Sequence, residues 1–434
     1  MAFDIFYPVI RQSLGTCMVG QMGQDSTYIW FTTREPGVQI KLWRMRKSDN
    51  ALIKPDGTVG GPSNAYVQTE NNGNYPPGLV VCEAAGYVLV ATFAGVKRYL
   101  LTDMSYVDTI DGSYRYTGNQ ETGRAGFFGG YCWFGNYNPV GGNFAARIDP
   151  ATGGVTRYSG LSYVPQDFAT DGTYLYVLSR TDTIKADVDF STLATYTGLG
   201  GYGLAYDSEN GYLWCGGATF VAMRVRVSDG AFINADGSVG DSTTAKMTVG
   251  GRSLAYSIGC IQSQLFIGEY NTDNILRMNA AGNPTTQYQF LFGGNWRFLA
   301  SNVGTWHLLW DPTSGTMYGA TASSASIEGR IWSTRWETIT AAPNLTDVTP
   351  GTGPHLSLTF DNPVGITGPT IGAASSGLGV TGVTAISTTQ IDLACAIRPD
   401  APEGDATSST LVPPVGEADN LGPPVPTGIG ATVI

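Results

Sequence analysis

The chain has 434 residues, and 35 acidic against 24 basic side chains leave a net charge of −11. Only 14% of it is charged, against about 25% in an average globular chain, while Gly reaches 58, Tyr 23, Phe 17 and Trp 9. This stock of turn and strand formers excludes a disordered chain, a coiled coil and a helical bundle.

The N-terminal stretch MAFDIFYPVIRQSLG has neither a basic start nor an uninterrupted apolar centre, so it is not expected to be a signal peptide. Its apolar residues between Phe3 and Ile10 are expected to supply an edge strand elsewhere in the fold. Seven strand-like runs follow. They are Tyr28–Phe31, Tyr87–Val90, Tyr131–Phe134, Tyr174–Val177, Tyr212–Cys215, Leu265–Gly268 and Met317–Ala320, the first five opened by Tyr. A shorter apolar arm and a turn precede most of them, as in GLAYDSENG (203–211), and read as a hairpin. A third segment follows, usually with Arg, as in LWRMRKSDN (42–50), VKRYLLTDM (96–104) and AARIDPATGG (145–154). One pair of units aligns without gaps: residues 48–61 match 228–241 at eight of fourteen positions.

Four strands per unit, repeating every 40 to 60 residues, predict an all-β fold, a β-propeller of seven four-stranded blades spanning 1–341. The hairpin GLAYDSENGYLWCGG (203–217) and the strand AARIDPATGGV (145–155) resemble the NHL/YVTN/PQQ-like propellers. That resemblance implies a fold and little chemistry. A WD-repeat reading fails, since Trp310-Asp311 is the lone Trp-Asp pair and no Gly-His occurs.

The stretch AAPNLTDVTPGTGP (341–354) reads as an inter-domain connection, with the linker set at 342–354. Beyond it, LSLTFDNPV (356–364), VTGVTAIS (380–387) and QIDLACAI (390–397) are short alternating strands. They predict an Ig-like β-sandwich over 355–434. The segment resembles bacterial Ig-like repeats of adhesins and phage structural proteins.

Chemistry is sparse. No cofactor, metal or catalytic motif is expected: the chain has two His, no GxSxG and no phosphate loop. His307, in the apolar WHLLW, reads as a hydrogen-bonded structural side chain, and His355 as solvent-facing. Glu83, Glu209, Glu269 and Glu328 lie near strand ends, where a carboxylate pair would serve glycoside hydrolysis, though solvated turn acids are the plainer reading. Asp56-Gly57 and Asp236-Gly237 read as turns ahead of Ca²⁺ loops. Six scattered Cys (17, 82, 132, 215, 260, 395) read as buried thiols without an intrachain disulfide. Aromatic ligand-contact candidates are Tyr66, Tyr75, Tyr114, Tyr116, Tyr137 and Trp296, in Gly/Asn-rich connections.

One basic cluster, Arg44-Met45-Arg46-Lys47, makes no nucleic-acid stripe, and no apolar stretch is long enough to span a membrane. Composition, Ig-like tail and plain start together lead to the expectation of a non-enzymatic bacteriophage virion protein. It would be a tail, fibre or capsid-surface component assembled in the host cytoplasm. Its partners would be other virion proteins, a host-surface glycan, and further copies of itself in the particle. The alternative is an extracellular bacterial propeller that binds or degrades carbohydrate.

Overall fold

In the computed structural model, the described residues are 2–6, 9–35, 39–70, 78–92, 94–111, 124–136, 142–217, 221–248, 255–261, 264–269, 275–279, 288–290, 304–322, 328–343, 355–360, 370–371, 378–387, 390–397, 406–409, 411–412 and 429–432. Among them the chain is all-β apart from one 3₁₀ turn, Glu83–Ala85.

Antiparallel sheets follow one another along the chain, each opening with a first strand. Sheet one holds Met18–Gln24, Tyr28–Arg34, Ile40–Arg46 and Tyr66–Glu70 in that spatial order. Sheets two, three and four open with Leu79–Cys82, Ala125–Phe128 and Asp167–Thr170 and repeat the pattern. Sheet five opens with Gly203–Asp207 and adds three two-residue strands between 232 and 248. Sheet six opens with Ala255–Ile261, and sheet seven with Gly304–Asp311. The first strands lie side by side in sequence order, and that of sheet seven returns to that of sheet one, so the arrangement is a propeller.

Sheet seven takes its fourth strand from the N-terminus. Val9–Thr16 pairs with Glu328–Pro343, from Val9 opposite Ser333 to Thr16 opposite Glu328. Ala2–Phe6 pairs farther along the same long strand, Ala2 opposite Thr340. The closing strand thus starts inside the Phe3–Ile10 segment expected from sequence, at Val9, but runs on to Thr16, while Ala2–Phe6 extends the pairing along the same partner. Leu14 enters the core shared by sheets seven and one, and the Gln12 amide donates to the Asn50 carbonyl at 2.6 Å. The long strand runs on to Pro343, where Ile339–Pro343 pairs with His355–Phe360. That strand pairs with Gln390–Ile397, which pairs with Leu378–Ser387. Residues 344–354 of the expected linker lie outside the described residues.

Alternation within the second strands explains why they are apolar throughout. In sheet five Leu213 and Cys215 pack on sheet four, while Trp214 between them packs on sheet six. Sheet one divides likewise, with Ile29 and Phe31 toward sheet seven and Trp30 toward sheet two. Both faces of every such strand are buried, so period-2 polarity disappears. The same alternation places the runs of sheets six and seven one residue earlier than the sequence reading, at Gln264 and Thr316. No Tyr marks those positions.

A cation stands on the third strand of sheets one to six, and in sheets one to three it fastens its sheet to the next. Arg44, Arg98, Arg147, Lys185, Arg224 and Arg277 stand at one register position, opposite Trp30, Leu89, Trp133, Tyr176, Trp214 and Phe266. Arg44, Arg98, Arg147 and Arg224 lie 5.0, 4.6, 4.6 and 4.8 Å from the ring centres of Tyr28, Tyr87, Tyr131 and Tyr212, the residues that open the second strands. Lys185 sits 3.9 Å from Tyr174 in the same way. In sheets one to three the guanidinium then donates to carbonyls in the following sheet's turn between its third and fourth strands. Arg44 reaches Leu101 and Thr102 at 3.0 and 2.7 Å, Arg98 reaches Pro150 and Ala151 at 2.9 and 2.8 Å, and Arg147 reaches Val188 at 2.6 Å. In sheet seven this position is Ser333, which accepts from Arg11 of the closing strand at 2.7 Å.

The receiving turns need a left-handed residue. Gly153 supplies it at φ 76°, but Met104 and Phe190 adopt φ 61° and 62° without glycine. That costs about 1–2 kcal/mol each, offset here by burial of both side chains.

Two measurements check this construction. Removing residues 1–16 should lower the melting temperature; an unchanged value would refute closure by the N-terminal strand. Arg98→Lys should cost about 2 kcal/mol in urea unfolding, because an ammonium cannot serve two carbonyls and the Asp108 carboxylate together.

Candidate functional site: a polar belt around the axis

The first strand of each sheet pairs on one edge only. Its other edge faces the axis, where N–H groups are buried without a ladder partner. Equivalent residues on these strands are fixed by register: Met22, Leu79, Ala125, Phe168, Leu204, Ile258 and Leu308, opposite Phe31, Val90, Phe134, Val177, Cys215, Ile267 and Gly319. The residue before each is Gln21, Gly78, Arg124, Asp167, Gly203, Ser257 and His307. Five of these seven carry polar side chains, an unusual content for the centre of a core.

Gln21, Asp167 and His307 reach the open edge of a following sheet. His307 Nδ1 accepts from the Met22 N–H at 3.3 Å. Gln21 Oε1 accepts from Leu79 and Ala125 at 3.2 and 2.8 Å, while its Nε2 donates to the Ala125 carbonyl at 2.7 Å, so one amide spans sheets two and three. Arg124 pairs with Asp167 at 2.9 Å. Asp167 accepts in turn from Leu204 of sheet five and from its neighbour Phe168, each at 2.9 Å. Ser257 is fully buried at the same position of sheet six.

Burial drives the electrostatics. It pushes the Asp167 carboxyl up from its ordinary range, against Arg124 and two backbone N–H groups that favour the ionised form. Burial, and then the Arg124 charge, hold His307 well below the usual histidine value. The imidazole is therefore neutral, and because Nδ1 accepts from Met22, Nε2 carries the proton. Ser257, His307 and Asp167 all stand on the belt, with His307 Nδ1 engaged by the Met22 N–H. Asp167 is committed to Arg124.

The acids highlighted in the sequence divide similarly. Glu83 accepts from the Ser26 N–H with both oxygens at 3.1 Å, joining sheets one and two, and its hydrogen bonds to the Ser26 side chain and then backbone lower its pKa. Glu209 lies in the hairpin turn of sheet five, while the side chains of Glu269 and Glu328 lie outside the described residues. Asp56 accepts from the Thr58 N–H and hydroxyl, and Asp236 from those of Ser238, so both close turns. These two turns sit in the duplicated hairpins, whose Val59 and Val239 are 57% and 64% exposed. The five described cysteines are free thiols.

Of the aromatic candidates, Tyr66 opens the fourth strand of sheet one. Its ring lies 4.9 Å from Trp43 and is capped by the Lys41 ammonium at 3.7 Å, which leaves it half-buried in packing. Tyr75, Tyr114, Tyr116, Tyr137 and Trp296 lie outside the described residues, as does the side chain of His355. Exposed aromatics that the sequence did not single out are Tyr106 and Phe127, at 54% and 47%. The belt residues Gln21, Arg124, Asp167 and Ser257 also escaped it, since each is a lone polar residue at the start of a different arm.

The fold is thus an all-β, propeller-like one. No family model matches the chain, and no curated protein matches it. Among solved structures it is similar to the WD40 β-propeller domain of Doa1, with 13% identity, a TM-score of 0.49, and coverage of 76% of this chain and 97% of that one. It is similar also to BamB from Moraxella catarrhalis, with 12% identity, a TM-score of 0.45, and coverage of 72% and 84%.

The neutral state of His307 gives a pH test. Unfolded, histidine titrates near 6.5; in the fold it titrates well below that. The unfolded chain therefore binds the extra proton first, and this contribution to stability is present above pH 6.5 and lost as the pH falls below it. Stability should drop by about 1.4 kcal/mol between pH 7.5 and 5.5 from this residue. In urea titrations His307→Gln, which keeps an acceptor, should show that much less pH dependence.

Proposed function

We propose that this chain is a non-enzymatic structural protein of a bacteriophage particle, a tail, fibre or capsid-surface component. Its propeller would have seven blades, and an Ig-like unit over 355–434 would attach or extend it. One propeller face would contact neighbouring virion proteins or a host-surface glycan. The observation that supports this reading most is where the buried polar side chains are spent. Arg44, Arg98 and Arg147 fasten sheet to sheet, and Gln21, Asp167 and His307 secure strand edges around the axis. Such an interior makes a rigid platform rather than a reaction chamber. Rigid platforms suit contact through repeated weak interactions, where side-by-side copies multiply affinity. The net charge of −11 opposes adsorption to nucleic acid.

Mass spectrometry of purified particles from the source phage should find the chain in stoichiometric amount. Its absence from particles, with polysaccharide cleavage by the purified protein, would overturn the proposal in favour of an extracellular carbohydrate-active propeller.

A further inference from the structure

Cys82 ends the first strand of sheet two, and Cys132 is the second residue of the second strand of sheet three. The alternation described above turns Cys132 toward sheet two, and both side chains enter the core between the two sheets with Leu89, Phe134 and Ile148. Their Sγ atoms are 2.8 Å apart. That is well inside the contact distance of two non-bonded sulfurs and only about 0.8 Å longer than a disulfide bond. Both residues are buried, Cys82 at 4% exposure and Cys132 at 0%.

We propose that Cys82 and Cys132 are a latent inter-sheet disulfide, which closes when the protein meets an oxidising medium. The argument rests on this geometry and not on the virion reading. The oxidant is a small-molecule disulfide. The Cys82 thiolate, the more exposed of the two, attacks one sulfur of that molecule and expels a thiolate. Cys132 then gives up its proton and attacks Cys82 Sγ, the protein S–S bond forms, and the second small thiolate leaves. Two protein thiols are oxidised and one small disulfide is reduced to two thiols. Burial raises the Cys132 thiol pKa, so the second step is slow in the closed fold and proceeds through opening of this interface. The finished bond ties two sheets otherwise held by packing, by Arg98 and by the Gln21 amide, and it closes a loop long enough to restrict the unfolded chain strongly.

The test uses the full chain, incubated with a mixture of oxidised and reduced glutathione or with excess reductant, then quenched with acid. Thiol titration after denaturation should fall from six to four on oxidation, six being all the cysteines of the chain. Peptide mapping should recover a fragment containing Cys82 joined to one containing Cys132. The melting temperature should rise by about 3–6 °C and return on reduction. Cys82→Ala should abolish the rise; mapping of the unmodified chain keeps the test independent of how that variant folds. Six free thiols after prolonged oxidation, or linkage through another cysteine, would overturn the proposal.

Discussion

Everything in this structure depends on joining sheets that share no ladder hydrogen bonds. Strands within a sheet are bound by backbone pairing, whereas neighbouring sheets are joined mainly by side chains, with isolated backbone bonds such as that from the Arg124 N–H to the Gln166 carbonyl. The third-strand cation meets that constraint. As Arg44, Arg98 and Arg147 it lies over the Tyr of its own sheet and donates to turn carbonyls of the next, so these guanidiniums are desolvated on one side and hydrogen-bonded on the other. A buried charge that is paired and hydrogen-bonded is costly to disturb, because loss of either partner leaves the other stranded. Tyr and Arg therefore recur together, and the turn that receives the Arg tolerates Met104 and Phe190 at left-handed angles in order to keep its carbonyls aimed.

The axis poses the opposite difficulty. There the backbone has donors without partners, and apolar packing alone would leave them buried and unmet. Single side chains from the preceding sheet solve it: Gln21 for two sheets at once, Asp167 for sheet five, His307 for sheet one. Arg124 then compensates the charge that Asp167 brings inside. The result is a His and an Asp on one ring whose hydrogen bonds hold the strand edges of neighbouring sheets.

Closure repeats the theme at the molecule's seam. Sheet seven has Ser333 where other sheets carry the cation, and Arg11 of the N-terminal strand donates to it from the same sheet. Chain ends far apart in sequence thus complete one sheet, and the long strand from Glu328 to Pro343 carries the pairing on toward the C-terminal strands.

Strand class, repeat and hairpin order were legible in the sequence because each is local: Tyr-led apolar runs, Asp-Gly turns and third-strand Arg lie within a few residues of one another. The structural role of His307 was legible too, since an imidazole inside WHLLW has little else to do. The equivalence of residues 48–61 and 228–241 carried through to matching turns at Asp56 and Asp236. What only the tertiary structure decided involves residues on different sheets. The belt is assembled from one side chain per first strand, at positions whose alignment follows from register and bulges rather than from a motif. Cys82 and Cys132 meet because alternate residues of a strand face opposite neighbours, which puts sulfurs 50 positions apart into contact. Tyr66, read as part of a Gly/Asn-rich connection, became a packing residue once Trp43 and Lys41 were placed beside it. Sequence periodicity reports which face of a strand is apolar; which sheet that face meets is set by ring geometry, and the sheet-to-sheet contacts follow from that.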